Sequence, residues 1–171
     1  MNVFIFSKKG DHGTTSLLTG ERISKASLRP DAYGTLDEAS SALGLAKTFT
    51  MNAAILEMIQ AVQEDLVMLG ARLSDTAPDS EYHIGTERIQ RIEQWIVKIQ
   101  EEVDIPRRFI YPGVNSASAS IDLARSIIRR AERVATALKE AGEIDSPEVH
   151  SYLNRLADFL FVLARYAEKK A

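Results

Sequence analysis

The segment DLARSIIRRAERV, residues 122–134, concentrates positive charge on one stretch of predicted helix. Its four arginines are Arg125, Arg129, Arg130 and Arg133. Three of them recur at steps of four residues and therefore share one helix face. Asp122 and Glu132 can neutralise only part of this charge. Because guanidinium groups match the oxygen pairs of phosphate and carboxylate, the excess favours an anion site. The alternative is a solvated face laced with ion pairs.

A second polar pattern lies in the last predicted helix, in YLNRLADFLFVLARY. Its members, spaced by steps of four, three and four opposite a leucine seam, are Asn154, Asp158, Phe161 and Arg165. Such a stripe is either exposed to solvent or lines a site shared with the arginine helix.

The polar N-terminal segment SKKGDHGTTSLLTGERISK, residues 7–25, could form a phosphate cradle. Its cations are Lys8, Lys9, Arg22 and Lys25, and its small or hydroxyl residues are Gly10, Gly13, Thr14, Thr15, Ser16 and Gly20. Glycines let backbone N–H groups approach phosphates closely, and hydroxyl and ammonium groups add further donors. The segment contains no Walker pattern. A flexible terminal tail with turn residues is the alternative that its composition allows.

Apolar spacing predicts a helical scaffold for these side chains. From about residue 31 onward, apolar residues recur at steps of three and four in five stretches, which are residues 32–46, 55–73, 89–103, 121–138 and 153–167. We expect Thr86 to be the N-cap of the third helix, and Ser146 and Pro147 to begin the fifth. The sequence therefore predicts an all-α protein, a single-domain bundle of five helices with short connections.

The bulk composition excludes several classes of function. The 171 residues carry a formal charge of −3, which argues against a general nucleic-acid binder, and contain no cysteine. Three separated histidines form no metal-ligand motif, so no metal-ligating residues are assigned. No signal peptide or membrane span is expected, and a cytoplasmic protein is the default.

Three stretches together resemble one family. They are the N-terminal segment followed by AYGTLDEASSALG, then RRFIYPG with ARSIIRRAERV, and finally YLNRLADFLFVLARY. In this order they are similar to the signatures of PduO-type ATP:cob(I)alamin adenosyltransferases. The resemblance implies one domain over residues 1–171, with an ATP-binding arm at 1–30 and a helical bundle at 31–171. It also implies a homotrimer with active sites between subunits.

The resemblance also implies roles for individual residues. Those matching ATP contacts are Ser7, Lys8, Lys9, Gly10, Thr15, Ser16, Lys25, Arg129, Arg130, Glu132, Arg133 and Asn154. Asp37, from YGTLDE, would pair with Arg125 across the subunit boundary. Phe109 matches the aromatic residue that closes the lower face of the corrin ring.

The implied reaction suits a chain without an evident general base. The Co(I) centre of cob(I)alamin attacks C5′ of ATP and expels triphosphate, so arginines, lysines and Mg²⁺ would stabilise the leaving charge. A reductase partner is expected to supply the reduced corrinoid. An apolar wedge at Phe109 would exclude the lower axial ligand, whereas the alternative for a buried loop aromatic is a core plug.

The chain departs from the family pattern at three places. Val114 stands where the family commonly has the second glycine of PGG, and Asp122 stands where it often has histidine. The arm begins SKKGD rather than TKTGD. Two other functions are weighed beside the enzyme: a non-catalytic carrier or regulator that binds ATP or adenosylcobalamin, and a structural bundle with a solvated arginine face.

Overall fold

The computed structural model describes residues 8–77 and 79–171. These residues form a two-stranded hairpin, which the sequence did not predict, followed by the five helices that the apolar spacing predicted. The elements are β1 (Thr14–Ser16), β2 (Arg22–Ser24), α1 (Leu28–Lys47), α2 (Ala53–Ser74), α3 (Thr86–Glu102), α4 (Ser116–Glu140) and α5 (Pro147–Lys170). Ser7, assigned above to the ATP site, lies outside the described residues.

Two predicted helix starts need correction. The first helix begins at Leu28, a turn before residue 31. Thr86 is not the N-cap of α3 but its first residue, and Gly85 is the N-cap. The Glu87 carboxylate folds back over Gly85, where a Cβ would overlap it, so glycine is the residue that leaves room for this arrangement. At α5 the prediction is confirmed, with Ser146 at the N-cap and Pro147 in the first turn.

Local polar contacts fix both ends of α4. Asn115 accepts a hydrogen bond from the backbone N–H of Ser118, whose side chain reciprocates, so the pair forms a capping box. At the other end Gly142 adopts a φ of 71°, a conformation that favours glycine. Its N–H bonds to Lys139 O at 3.0 Å and that of Glu143 bonds to Leu138 O at 2.9 Å, which is the Schellman arrangement. The helix that carries the arginines therefore has defined ends.

Helix α4 lies at the centre of the packing and contacts α1 on one side and α5 on the other. Helix α2 packs on α1, and α3 packs on α5. Arg29 pairs with Glu143 and Glu38 pairs with Arg130, so α1 and α4 are antiparallel. The shared core consists mainly of alanine, leucine, isoleucine and valine side chains from all five helices, together with Met58, Tyr152, Phe159 and Tyr166. Among the described residues, no helix is long and apolar enough to cross a membrane.

A buried carboxylate joins α2 to α3 and α5. Asp65 is fully buried, and it accepts hydrogen bonds from Arg88 and Arg91 of α3 and from the Tyr152 hydroxyl at 2.7 Å. Burial, followed by the charge of Asp65, raises the pKa of Tyr152 well above its usual value, so the hydroxyl remains a donor. A buried charge is tolerated when its oxygens are paired in this way. Asp65 therefore determines where α3 docks.

We expect Asp65→Ala to lower the free energy of unfolding by about 3–5 kcal/mol, because it leaves buried donors without their acceptor. Urea denaturation followed by circular dichroism measures this. Asp158→Ala is the matched control, since Asp158 is exposed and its ion pair, within the described ranges 8–77 and 79–171, is with Arg155 on its own helix. Equal midpoints for the two variants would show that the Asp65 network does not hold α3.

Candidate functional site

The N-terminal arm is a folded hairpin in its described part. Strands β1 and β2 are antiparallel, with Thr15 opposite Ile23. The Arg22 guanidinium donates to Ser16 Oγ at 3.1 Å, to Lys9 O at 2.7 Å and to the Thr14 hydroxyl. One arginine thus ties together the residues on either side of the glycine-containing turn. This differs from the featureless tail that composition alone allowed.

The tip of the hairpin docks on the C-terminal end of α2. Leu17 is buried, and the Leu18 N–H bonds to Ser74 O at 3.2 Å. The hydroxyls of Thr19 and Thr76 lie 3.1 Å apart. These contacts anchor the arm to the bundle, because an isolated two-stranded hairpin is marginal in water.

The other end of the hairpin carries a compact basic loop. Lys8 has a positive φ of 57°, which is uncommon for a residue with a side chain. The Lys25 Nζ atom lies 3.1 Å from the position a Cβ on Gly10 would take, so glycine leaves the space that the ammonium group uses. The Lys25 N–H bonds to Gly13 O at 2.9 Å, which closes the loop. Cations and backbone amides are therefore gathered in one small region.

The arginine face of α4 is only partly neutralised. Arg130 pairs with Glu38 of α1, and Arg125 pairs with Asp122 of its own helix at 3.2 Å. Arg129 and Arg133 are exposed, and within the described residues no carboxylate lies within ion-pair distance of either. The Arg133 Nη1 atom donates to Arg129 O at 2.9 Å, which holds its guanidinium along the helix. Two cations without counter-charges favour an anion site over a face laced with ion pairs.

One member of the polar stripe on α5 meets this face. Asn154 is exposed, and its Nδ2 donates to Glu132 Oε1 at 3.1 Å. The stripe is not uniformly polar surface, because Phe161 is half-buried and Arg165 is buried. Phe161 and Arg165 lie nearer the C-terminal end of α5, where Arg165 lines a cavity.

A cavity of about 810 Å³ opens beside the C-terminal end of α5. Its walls are the segment between α3 and α4 and the last turns of α5, and its lining includes Arg108, Phe109, Tyr111, Val114, Arg165, Glu168 and Lys169. Among these, Arg165 is a buried charge at the cavity wall. The size is in the range of small-molecule sites.

The loop aromatic Phe109 lies at the surface of the protein. Phe109 is not a buried plug, since 79% of its surface is exposed. Its ring packs edge-on against Tyr111, with centroids 5.1 Å apart and an interplanar angle of 73°. Exposed aromatic pairs at a cavity are typical of binding surfaces rather than of folding cores.

The chain does not bring Asp37 and Arg125 together. Asp37 is exposed on α1, beside an apolar groove of about 320 Å³ between α1 and α2. Arg125 lies on α4 and contacts Asp122. The hairpin likewise contacts α2, whereas the packing contacts of α4, among the described elements, are with α1 and α5. The basic loop and the arginine face are therefore separate in one chain.

A helical bundle with a basic hairpin arm, an unneutralised arginine face and an aromatic-lined cavity has the features of a ligand-binding protein with an anion site. The family model described as cobalamin adenosyltransferase matches residues 5–167. The chain belongs to this family.

Individual relatives agree with that assignment. The chain is 38% identical to the corrinoid adenosyltransferase of Citrobacter freundii over 96% of this chain and 94% of the relative. It is 36% identical to the corrinoid adenosyltransferase PduO of Salmonella typhimurium over 98% of this chain, but spans only 50% of that longer relative. Among solved structures, a variant PduO-type ATP:corrinoid adenosyltransferase from Lactobacillus reuteri, complexed with cobalamin and ATP, superposes with a TM-score of 0.89. The match has 29% identity and covers 96% of this chain and 91% of that one.

Sequence reasoning missed two parts of the site. Arg22 was counted among the cations of the arm, yet its contacts make it the cross-link of the hairpin. Asp122 was noted as a departure from the family pattern and as a partial counter-charge for the arginines, yet it is buried and also pairs with Arg165 of α5. The signal available for Asp122 was its position three residues before Arg125, which permits a helical ion pair.

Proposed function

We propose that the protein transfers the 5′-deoxyadenosyl group of ATP to the cobalt of cob(I)alamin, giving adenosylcobalamin and triphosphate. The observation that carries this proposal is the pair of unneutralised arginines, Arg129 and Arg133, on the central helix of a cobalamin adenosyltransferase fold. A face of this kind suits the triphosphate of ATP. Membership of the family supports the corrinoid as the acceptor.

The main requirement of this reaction is to stabilise the negative charge on the leaving triphosphate. The cobalt of cob(I)alamin donates an electron pair to C5′, a cobalt–carbon bond forms, and the C5′–oxygen bond breaks with its electrons leaving on triphosphate. The attacking atom loses no proton, so no general base is needed. The chain's task is to orient ATP and to stabilise the charge that develops on the departing oxygens.

We assign the triphosphate to two sets of residues. The arm supplies Ser7, Lys8, Lys9, Gly10, Thr15, Ser16 and Lys25, and the helices supply Arg129, Arg130, Glu132, Arg133 and Asn154. The basic loop around Gly10 and the guanidinium groups of α4 are both suited to phosphate oxygens. The Glu132–Asn154 contact fixes a polar edge beside the arginines.

Mg²⁺ would accompany ATP. Within the described residues there is no group of three or more histidine, aspartate or glutamate side chains that could hold a metal ion by themselves. Mg²⁺ that accompanies a nucleotide is usually held by phosphate oxygens and water, and Glu132 offers a carboxylate on the arginine face. When bound, the ion supplies additional neutralisation of the triphosphate.

The cavity beside Phe109 is assigned to the corrinoid. An exposed aromatic ring at its rim can occupy the lower axial side of the corrin and deny that position to water. The metal centre is then easier to reduce, and a reductase is expected to deliver the electron.

The site is proposed to form between subunits of a homotrimer. In one chain the basic loop and the arginine face are held by different elements, and Asp37 is separate from its assigned partner Arg125. A head-to-tail ring brings one surface of each copy against a different surface of its neighbour. Such a ring would place the arm of one copy over the arginines of the next.

An anaerobic assay tests the reaction. Purified protein, Mg-ATP and chemically reduced cobalamin should yield light-sensitive adenosylcobalamin and an equal amount of triphosphate, measured by visible spectroscopy and ion chromatography. Tight ATP binding without product would instead support the non-catalytic carrier. Neither product nor ATP binding would leave a structural bundle.

Mixed oligomers test the shared site. Lys25→Ala and Arg129→Ala are each expected to be nearly inactive alone. If one site draws on two chains, unfolding and refolding an equal mixture should restore about a quarter of wild-type activity. An active site then needs an intact arm from one chain and an intact arginine face from its neighbour, and about one pairing in four provides both. Refolded single variants are the controls, and light scattering gives the oligomeric state. No recovery from the mixture, in oligomers that have formed, would place the whole site within one chain.

A further inference from the structure

Asp122 lies at the junction of the two parts of the site. It sits in the second turn of α4, and its side chain and that of Arg165 on α5 are each only 3% exposed. The Asp122 Oδ2 atom accepts a hydrogen bond from Arg165 Nη2, and its Oδ1 atom accepts one from Arg125 Nε at 3.2 Å. A buried carboxylate with a guanidinium partner at each of its two oxygens has a well-defined position.

Arg165 is fixed on its remaining sides as well. Its Nε atom donates to Glu168 Oε1 at 2.8 Å, and its guanidinium carbon lies 5.3 Å from the centre of the Phe161 ring. Two carboxylates and two guanidinium groups make the cluster neutral. Yet Arg165 and Glu168 also line the 810 Å³ cavity that is bordered by Phe109. The cluster therefore forms a rigid, charged wall of that cavity.

The Asp122 carboxylate also fixes the orientation of the Arg125 guanidinium. The contact with Asp122 uses Nε, and within the described residues the two Nη groups of Arg125 have no partner. Held by Nε, the guanidinium presents its outer edge in one orientation, which is the edge a second carboxylate can engage in a bidentate pair. Asp122 thus orients a side chain that the proposed subunit interface uses.

We propose that Asp122 is a positioning residue that sets Arg165 at the wall of the corrinoid cavity and Arg125 at the subunit boundary. This inference rests on the proposed function. Asp122 then holds the cavity wall at Arg165 and the subunit boundary at Arg125 in a fixed position relative to each other. Because the contact reaches the corrinoid through Arg165, its loss acts first on corrinoid binding.

The experiment compares Asp122→Asn with the wild-type enzyme in the anaerobic assay. We expect the KM for cob(I)alamin to rise about tenfold and the KM for ATP to change less than twofold. Arg165→Lys keeps the charge but loses the planar fork, so it should show the same selective rise. The effects of the two changes should be less than additive in the double variant, since both break the contact between Asp122 and Arg165. Asp158→Asn, an exposed aspartate with a helical ion pair, is the matched control and should leave both constants unchanged.

Thermal melting separates positioning from folding. A variant that melts earlier but keeps its KM for cob(I)alamin would show that Asp122 only stabilises the bundle, and so would additive effects in the double variant. If Asp122→Asn does not fold, Arg165→Lys decides the question by the same two constants. A wild-type protein without turnover would refute the proposed function itself, whereas an active wild type with an unchanged corrinoid constant in Arg165→Lys would refute this inference alone.

Discussion

Replacement of Arg129 by alanine should lower kcat/KM for ATP by about a hundredfold or more. Removing one donor from developing oxyanion charge typically costs about 3–4 kcal/mol of transition-state stabilisation. Arg129 is exposed and has no carboxylate partner among the described residues, so its charge is available to the triphosphate. Steady-state kinetics with cob(I)alamin in excess measure the effect.

The fold should survive this change. Alanine is the best helix former, and Arg129 contributes its backbone carbonyl rather than its side chain to the contact with Arg133. Arg155→Ala is the matched control, because Arg155 lies on α5 and pairs with Glu93 and Asp158. Near-normal turnover by a well-folded Arg129→Ala would remove the arginine from the ATP site, and equal losses in both variants would point to a general effect of charge.

Phe109→Ala should slow the reduction of cob(II)alamin much more than the transfer of the adenosyl group to cob(I)alamin. With cob(II)alamin and a reductant, we expect turnover to fall by about a hundredfold, or about 3 kcal/mol, because water regains the lower axial position. With cob(I)alamin prepared in advance the loss should be much smaller, since reduction no longer limits the rate. ATP binding, measured by calorimetry, should be unchanged.

Exposure makes this variant a fair test. Because 79% of Phe109 is in solvent, truncating it removes little buried surface and should barely change the melting temperature. Phe49→Ala provides the same substitution at an exposed position at the end of α1. An equal loss with both forms of the corrinoid would mean that Phe109 contributes general binding rather than exclusion of a ligand.

The helices were predictable because their apolar residues have a strong period. The seam from Ile55 to Leu73 identified α2 to within two residues at its start and one at its end. The hairpin was not predictable, since its three-residue strands, Thr14–Ser16 and Arg22–Ser24, are too short to show a period and depend on the side chain of Arg22. Asp65 was equally hidden, because its partners Arg88 and Tyr152 are far away in sequence.

The sequence indicated which residues share a helix face in the candidate site, but not which of them form ion pairs or are exposed. The spacing of the arginines placed them correctly on one helix, and Asn154 does meet Glu132. Spacing could not show which arginines already have a counter-charge. Arg130 forms an ion pair with Glu38 of another helix, whereas Arg129 has no carboxylate partner among the described residues. The exposure of Phe109 was also beyond sequence reasoning, since an apolar residue in a loop is compatible with either burial or display.

The docked hairpin has a consequence for the thermodynamics of ligand binding. Ordering a loose chain costs about 1–2 kcal/mol per residue, so freezing a segment the length of residues 8–25 would cost on the order of 20 kcal/mol. A micromolar ligand supplies only about 8 kcal/mol. Burial of Leu17, the hydrogen bonds of Arg22 and the contact with Ser74 offset part of this entropic cost. Nucleotide affinity is therefore coupled to the stability of the end of α2, and loosening that end should weaken ATP binding without touching a phosphate.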